Sequence, residues 1–489
     1  MLGQMKKRAQ LPNAQTFTVI FRGCAGSQHP KLAVSEAIRI YHSMMSNDRL
    51  QPNTIHMNAV LEVCARAGDI ESLFSIAKTA NEGVRSPNSQ TYTIILNGIR
   101  PRRDPARREG GSSLTPEETE QNTKMAVNRA KAIWEEVVAR WRKGKLQVDE
   151  HLVCAMGRVL LLGSYQDSNS ILSLVEQTMA LPRLDLVEGN LTPPETVSKA
   201  SGEEHPREQS KRLVRTSRTG LAVPSQKTLS LILTSLGRTR KSSLGPKYWD
   251  LLTKTYHIQP DADNYVRMLV LLMIGKASGR TADLVEQMPV SFLTEKTFRT
   301  ALSTCLRDNV NRHAFSNATR VFDTMVSKLS QPDPESIRLY LSVARANFRK
   351  FNEDDEASSS TQHHSEEAKL ALGRQIVAAL DRTLQPFLLL TAGNSSSSSR
   401  KGRALGVQWT VSGNARREAI AVARRMVAAM DAVVTERMAS EDVLKVIKTR
   451  RNLLNSQVVR FFEDEQKSEK LNHEPDTVKA RDNKEDIIS

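Results

Sequence analysis

Between Thr54 and Asn88 apolar residues recur at intervals of three and four, pause, and then resume. Met57, Val60, Leu61, Cys64 and Ala65 fall on one face of a helix. Gly68-Asp69 predicts a turn, after which Ile70, Leu73, Phe74 and Ala77 open a second amphipathic helix. Asn53, just ahead of the first helix, is placed to accept backbone N–H bonds as its cap. A helix pair this small cannot bury its apolar stripes alone, so it must stack on neighbours of its own kind.

The neighbours are present. Proline followed by Asn or Asp recurs at Pro12-Asn13, Pro52-Asn53, Pro87-Asn88, Pro260-Asp261 and Pro332-Asp333. The first two gaps are 40 and 35 residues, and the last is 72, twice 36; Pro224-Ser225 lies 36 residues before Pro260-Asp261. After these junctions come AQTFTVIFRGCA, TIHMNAVLEVCA, SQTYTIILNGIR, QKTLSLILTSLG, ADNYVRMLVLLM and PESIRLYLSVAR, with EKTFRTALSTCL in the same frame. The fourth place is always apolar or aromatic: Phe17, Met57, Tyr92, Leu229, Tyr265, Phe298 and Ile337. A period in this range predicts an all-α array of αα hairpins, a solenoid wound as a right-handed superhelix.

Composition shifts divide the array. Residues 1–184 carry repeats, with a charged Gly/Ser-bearing insertion at 101–123 and the helix resuming near Lys124. A polar, Pro-bearing linker at 185–224 is expected to be disordered; degenerate repeats follow at 225–350. Residues 351–365 predict a flexible linker, 366–468 a helical region with a flexible stretch at 391–414, and 469–489 a disordered tail. The opening LGQMKKRAQLPN reads as the end of a second helix whose partner is missing, so a truncated first repeat is expected; a half-repeat cap is the alternative.

Charge narrows the partners. The 489 residues carry a formal net charge of +16, which favours polyanions, although a basic soluble protein needs no such partner. Aromatics make up only 5%, too few to rely mainly on base stacking. Apolar runs such as Val266 to Ile274 fall far short of a membrane span. Cys24, Cys64, Cys154 and Cys305 form no CxxC pair, and three of them share the eleventh place of their repeats, which predicts buried side chains rather than metal ligands.

The units resemble pentatricopeptide repeats, most closely in Ala14–Asn53, Thr54–Asn88 and Gln226–Asp261, through the closing Pro-Asn/Asp and the QTFT and QTYT openings. The resemblance covers about residues 1–184 and 225–345. The related tetratricopeptide repeats share the αα unit but bind peptides, and their Trp-x-x-Leu-Gly phrase is absent at fixed repeat positions. The resemblance implies a non-enzymatic protein that presents each repeat to single-stranded RNA, with no cofactor and no metal. It implies that the fifth residue of the first helix and the last residue of the repeat touch the base. Those pairs are Thr18 with Asn53, Asn58 with Asn88, Thr93 with Asp149, and Ser230 with Asp261. By the family pattern they suggest adenine, a pyrimidine, guanine and guanine. Departures are evident: of the second positions Gln15, Ile55, Gln90, His151, Lys227, Asp263 and Lys296, only Ile55 is the usual apolar residue. Val266 and Arg299 at fifth positions also leave the pattern, so phosphate-driven contact with modest sequence preference is expected.

The resemblance further implies a mitochondrial matrix location and a role in the stability, processing or translation of mitochondrial mRNA or rRNA. Two alternatives stand beside it: a structural or assembly protein of the mitochondrial small ribosomal subunit, and a peptide-binding helical scaffold. His364-Ser365-Glu366 matches the start of a deaminase signature, but no cysteine follows it to complete a zinc site. Glu353 to Glu356 is an acidic run on a linker, which suits solvation better than a two-metal clamp. The basic helix from Ala415 sets Arg416, Arg417, Arg424 and Arg425 opposite an apolar side, and it reads first as a helix packed on the array, second as an RNA or acidic-partner surface.

Overall fold

The computed structural model describes residues 12–46, 50–101, 115–187, 220–346, 361–392 and 413–472. Among these the chain is all α, built of αα hairpins, and no strand occurs. It divides into two compact units, Met1–Leu271 and Leu272–Ser489. The expected half-helix before Pro12 and the tail after Asn472 lie outside the described residues. So do 102–114 and most of the linkers at 185–224, 351–365 and 391–414.

In the first unit the first helices of the hairpins are α1 (Ala14–Ala25), α3 (Thr54–Ala67), α5 (Ser89–Gly98), α7 (Glu150–Leu160), α9 (Gln226–Arg238) and α11 (Ala262–Ile274), the last of which crosses into the second unit. Their second helices are α2 (Pro30–Met45), α4 (Ile70–Ala77), α6 (Pro116–Arg142), α8 (Tyr165–Met179) and α10 (Leu244–Asp250). The closing Asn or Asp of one repeat caps the next. Asn13, Asn53 and Asn88 accept the N3 amide through their side chains, and Thr16, His56 and Thr91 bond back to the cap residue's N–H. Asp149 accepts from Leu152 N at 2.8 Å and Asp261 from Asn264 N at 2.8 Å. His56 does more than cap. Its Nδ1 accepts from Asn53 N–H at 3.1 Å, while Nε2 donates to the Ala14 carbonyl 3.0 Å away, strapping one repeat to the previous one.

One junction lacks the usual side chain. Before α9 the cap is Ser225, too short to reach far, and Glu150 from the start of α7 completes it. Glu150 Oε1 accepts from Ser225 N, Ser225 Oγ, Thr228 N and Thr228 Oγ1 at 2.9, 2.7, 3.1 and 2.7 Å. A carboxylate supplied by the preceding first helix thus reinforces the weak cap that Ser225 makes to Lys227 N at 3.4 Å.

Stacking buries the apolar stripes. α1 packs on α3, α3 on α5 and α5 on α7, with α2 and α4 against α3. Phe21, Met57, Leu61, Leu73, Ile76 and Leu96 are fully buried, each contributing about 1.5–3 kcal/mol. α3 and α5 approach closely at Gly98, where an added Cβ would stand 3.1 Å from Ala65 Cβ.

α6 begins at Pro116, inside the stretch expected as insertion, because Thr115 and Glu118 form a capping box with proline at N1. Its first two turns, PEETEQNT, are polar all round and give no apolar period to read. Close after the linker, Ala222 is buried, and its N–H donates to Thr178 O at 2.9 Å.

The second unit contains α12 (Ser278–Gln287), α13 (Glu295–Arg307), α14 (Ala314–Lys328), α15 (Pro334–Ala346), α16 (Thr361–Ala392), α17 (Gly413–Thr435) and α18 (Glu441–Asn472). α13 packs on α14 and α15, α15 on α16 and α17, and α17 on α18. Tyr340 stacks on Phe322 at 4.4 Å and on Phe315 at 5.6 Å between ring centroids. The basic helix α17 buries Ile420, Ala423, Val427 and Met430. Three of its arginines contact the fold, while Arg417 and Arg424 stay exposed: Arg416 lies over Phe461, Arg424 over Phe462, and Arg425 donates to Ser342 Oγ at 2.6 Å. Packing on the array, the first reading of that helix, is what the geometry displays.

Candidate nucleic-acid interface

The capped register fixes which side chains emerge from each first helix. All seven second positions, from Gln15 to Lys296, are exposed, and Ile55 is 60% exposed. One consecutive pair touches: Lys227 Nζ donates to His151 Nε2 at 3.0 Å. The fourth positions turn the other way, so that Met57, Tyr92, Leu229, Phe298 and Ile337 are buried.

The paired positions are brought together unevenly. Asn58, only 4% exposed, donates through Nδ2 to Asn88 Oδ1 at 3.2 Å and accepts from Thr91 Oγ1 at 2.7 Å. Ser230 and Asp261 meet through a third residue, Asn264. Its Nδ2 donates to Ser230 Oγ at 2.7 Å and to Gln226 O at 3.0 Å, and its Oδ1 accepts from Asp261 N at 3.2 Å. Thr18 and Asn53 are not bonded to each other: the Thr18 hydroxyl donates to Ala14 O, and the Asn53 side chain caps α3. Thr93 and Asp149 are likewise separate. The Thr93 hydroxyl is shielded from solvent and has no partner among the described residues, and exposed Asp149 accepts only from Leu152 N. Of the four pairs, Thr93 and Asp149 are the least committed internally.

In the second unit the corresponding fifth residue is locked. Arg299 makes a fork to Asp333, the last residue of the same repeat, with bonds of 2.8 Å and 2.5 Å. Asp333, whose side chain is fully buried, also accepts from Ser336 N and Oγ. Burial works against its ionisation, yet the Arg299 and Ser336 bonds win and hold its carboxyl below the usual value. Val266 stands exposed at the fifth place of α11 with nothing to donate.

Two cavities open in the first unit. The larger, about 1180 Å³, lies at the C-terminal ends of α1, α3 and α5, against the side of α6. Lys31, Arg66, Arg100 and Arg129 line it, and no carboxylate does among the described residues. The smaller, about 350 Å³, is reached by Arg100, Arg158, Ser230, Asp261 and Arg267. Arg100 belongs to both. Burial, then repulsion from Arg158, lowers its affinity for a proton, though an arginine keeps its charge near neutral pH.

The cysteines belong to the packing. Burial pushes the Cys64, Cys154 and Cys305 thiols up to about 12. No cluster of His, Cys, Asp or Glu able to hold a metal occurs among the described residues. No helix among them is long and apolar enough to cross a membrane. Sequence reasoning missed Asn264, His56 and Glu150. The first two sit three places after a cap and were legible as N3 partners. Glu150 had no local signal, because its partner lies 75 residues away.

No family model matches the chain. A chloroplastic pentatricopeptide repeat-containing protein of Arabidopsis thaliana is 29% identical over 102 residues, which is 21% of this chain and 13% of the relative's length. Among solved structures, the pentatricopeptide repeat protein PPR10 from maize is similar at 12% identity and a TM-score of 0.31, covering 95% of this chain and 72% of that one. The same protein in complex with an 18-nt psaJ RNA element gives 13% identity and a TM-score of 0.27, over 92% and 61% of the two chains. These superpositions are loose, so the assignment rests on the repeat unit itself and the matched sequence. Hairpins of this length, capped at Pro-Asn/Asp junctions and matched over 102 residues to that relative, make the chain similar to pentatricopeptide repeat proteins, while spanning only 13% of the relative's length.

Proposed function

We propose that the chain binds single-stranded RNA along the first helices of its first unit, without a catalytic step. The observation that carries this reading is the large cleft lined by Lys31, Arg66, Arg100 and Arg129 with no carboxylate among the described residues. A polyanion suits such a lining, and beside it the same helices set out polar side chains at repeat spacing. Thr93 with Asp149 is the pair least tied up, since neither is bonded to the other or to a neighbouring repeat, and meeting a base requires the covered Thr93 hydroxyl to be opened first. Asn58 with Asn88, and Ser230 with Asp261, read a base only by sharing or exchanging bonds they already hold. Thr18 and Asn53 complete the set. Modest sequence preference over a strong phosphate contribution follows from this geometry.

The proposed setting is the mitochondrial matrix, in the stability, processing or translation of mRNA or rRNA; the Arabidopsis relative is chloroplastic, and its compartment is its own. Fluorescence anisotropy with single-stranded RNA, duplex RNA and single-stranded DNA across a salt series tests the binding. The expected result is preference for single-stranded RNA, with a salt slope of about −3 for four or five neutralised phosphates. Equal binding of all three, or none, would refute it. Crosslinking in cells followed by sequencing would name the RNA. Recovery chiefly of small-subunit rRNA, with salt-resistant co-sedimentation, would favour the ribosomal role over messenger binding.

A further inference from the structure

The smaller cavity holds more positive charge than its own carboxylates offset. Asp261 and Asp263 line it, but both are engaged. Asp261 caps α11 through Asn264 N, and Asp263 accepts from Arg267 Nε at 2.7 Å and Ser230 Oγ at 3.1 Å. Lys227 is turned onto His151. That leaves Arg100, just beyond the end of α5, and Arg158 in α7, two helices that pack together. Neither has a hydrogen bond or ion pair among the described residues, and Arg100 Nε is shut off from solvent without an acceptor. Each is only partly exposed, and the two are close enough to repel.

An unpaired, half-buried pair of like charges is unfavourable, and an anion between them removes both the repulsion and the orphaned donor. Guanidinium forks match phosphate oxygens, taking them two at a time. The position of Arg100 supplies the direction. It lines both cavities, so an anion held there lies where the large basic cleft meets the smaller one. We propose that Arg100 and Arg158 clamp one backbone phosphodiester of an extended RNA strand passing from the larger cleft into the smaller cavity. The clamp rests on the RNA-binding reading above. It sets the strand's position beside Ser230 and Asp261 and carries no base preference of its own.

The test compares the full chain with the double variant Arg100→Gln/Arg158→Gln, and with Arg100→Lys/Arg158→Lys, on 20-nucleotide RNAs of different sequence over a salt series. The glutamine pair is expected to bind about tenfold or more weakly at low salt, alike for every sequence, with a slope shallower by about 0.7. The lysine pair, which keeps charge but not the fork, is expected to fall between and to retain the slope. Millimolar inorganic phosphate is expected to leave the RNA bound. Unchanged affinity and slope in the glutamine pair, with the unaltered chain binding normally, would overturn the clamp and leave RNA binding standing. No binding by the unaltered chain would overturn both. Displacement by millimolar phosphate would assign the pair to a free anion, and a loss confined to one base would make it a base reader; either outcome overturns the proposal. Should the glutamine pair lose helical circular dichroism, the lysine pair decides, since an unchanged affinity there refutes the fork.

Discussion

Replacing Glu150 by alanine probes how this array is joined across its longest sequence interruption. Glu150 accepts from two buried donors, Thr228 N and Thr228 Oγ1, and from Ser225 N and Oγ at the start of α9. Thr228 is fully buried, so its N–H and O–H find no water when the carboxylate is removed. Each buried donor left without an acceptor costs about 1–3 kcal/mol, and the Ser225 groups, nearer to solvent, lose less. The expected destabilisation of α9 is therefore about 2–5 kcal/mol, with Glu150→Gln smaller because one oxygen remains. A helical repeat array of this length need not unfold in one step, so a local probe serves better than a melting temperature. Hydrogen exchange of the α9 amides should accelerate by roughly 30-fold or more, while amides in α3 stay unchanged. Adding Ser225→Asp should restore up to about 1 kcal/mol by putting a stronger acceptor where Ser225 Oγ holds Lys227 N at 3.4 Å. Exchange in α9 that is the same with and without Glu150 would show that the carboxylate does not hold this junction.

Other perturbations follow from the same contacts. Gly373→Ala places a Cβ against the Met438 backbone carbonyl, so the packing of α16 on the turn between α17 and α18 should lose about 1–3 kcal/mol, read as a lower urea midpoint; an unchanged midpoint refutes the contact. The Arg183 bonds, aided by Lys241, hold the Asp185 carboxyl well below its ordinary 3.8. Its folded value is the lower one, so its contribution is present above pH 4 and lost as pH falls through the folded value. Asp185→Asn should thus flatten the acid limb of the stability profile below about pH 4 while the neutral plateau drops; an unaltered acid limb would contradict this. Iodoacetamide at pH 8 should label half-exposed Cys24 first and reach Cys64, Cys154 and Cys305 only on unfolding, and rapid native labelling of Cys64 would contradict their burial.

The hairpin order and the face of each first helix were legible because two independent signals agreed. The three-and-four spacing of Met57, Val60, Leu61 and Cys64 fixed the buried side, and the Pro-Asn junctions fixed the start. All seven second positions then emerged on the exposed side. The start of α6 was hidden because its first two turns lack an apolar face. The bonding of the paired positions was hidden for another reason. Whether Asn58 meets Asn88, or Ser230 needs Asn264 to reach Asp261, depends on how neighbouring repeats approach. Spacing along the chain does not encode that. Arg299 shows the same point in reverse: it departs from the short polar residues at the fifth places Thr18, Asn58, Thr93 and Ser230, yet it contacts the last residue of its repeat more firmly than any of the four pairs. Arg100 and Arg158 fall at different places in their repeats, so only folding reveals that they share a cavity.

If RNA lies against the first helices of the first unit, photocrosslinking with 4-thiouridine RNA followed by peptide mass spectrometry will locate it there. Crosslinks should fall in α5, α7 and α9, on the segments bearing Gln90, Thr93, His151 and Lys227, and should fade as salt rises. Crosslinks concentrated on the second helices α2, α4 and α8, with those segments silent, would contradict it.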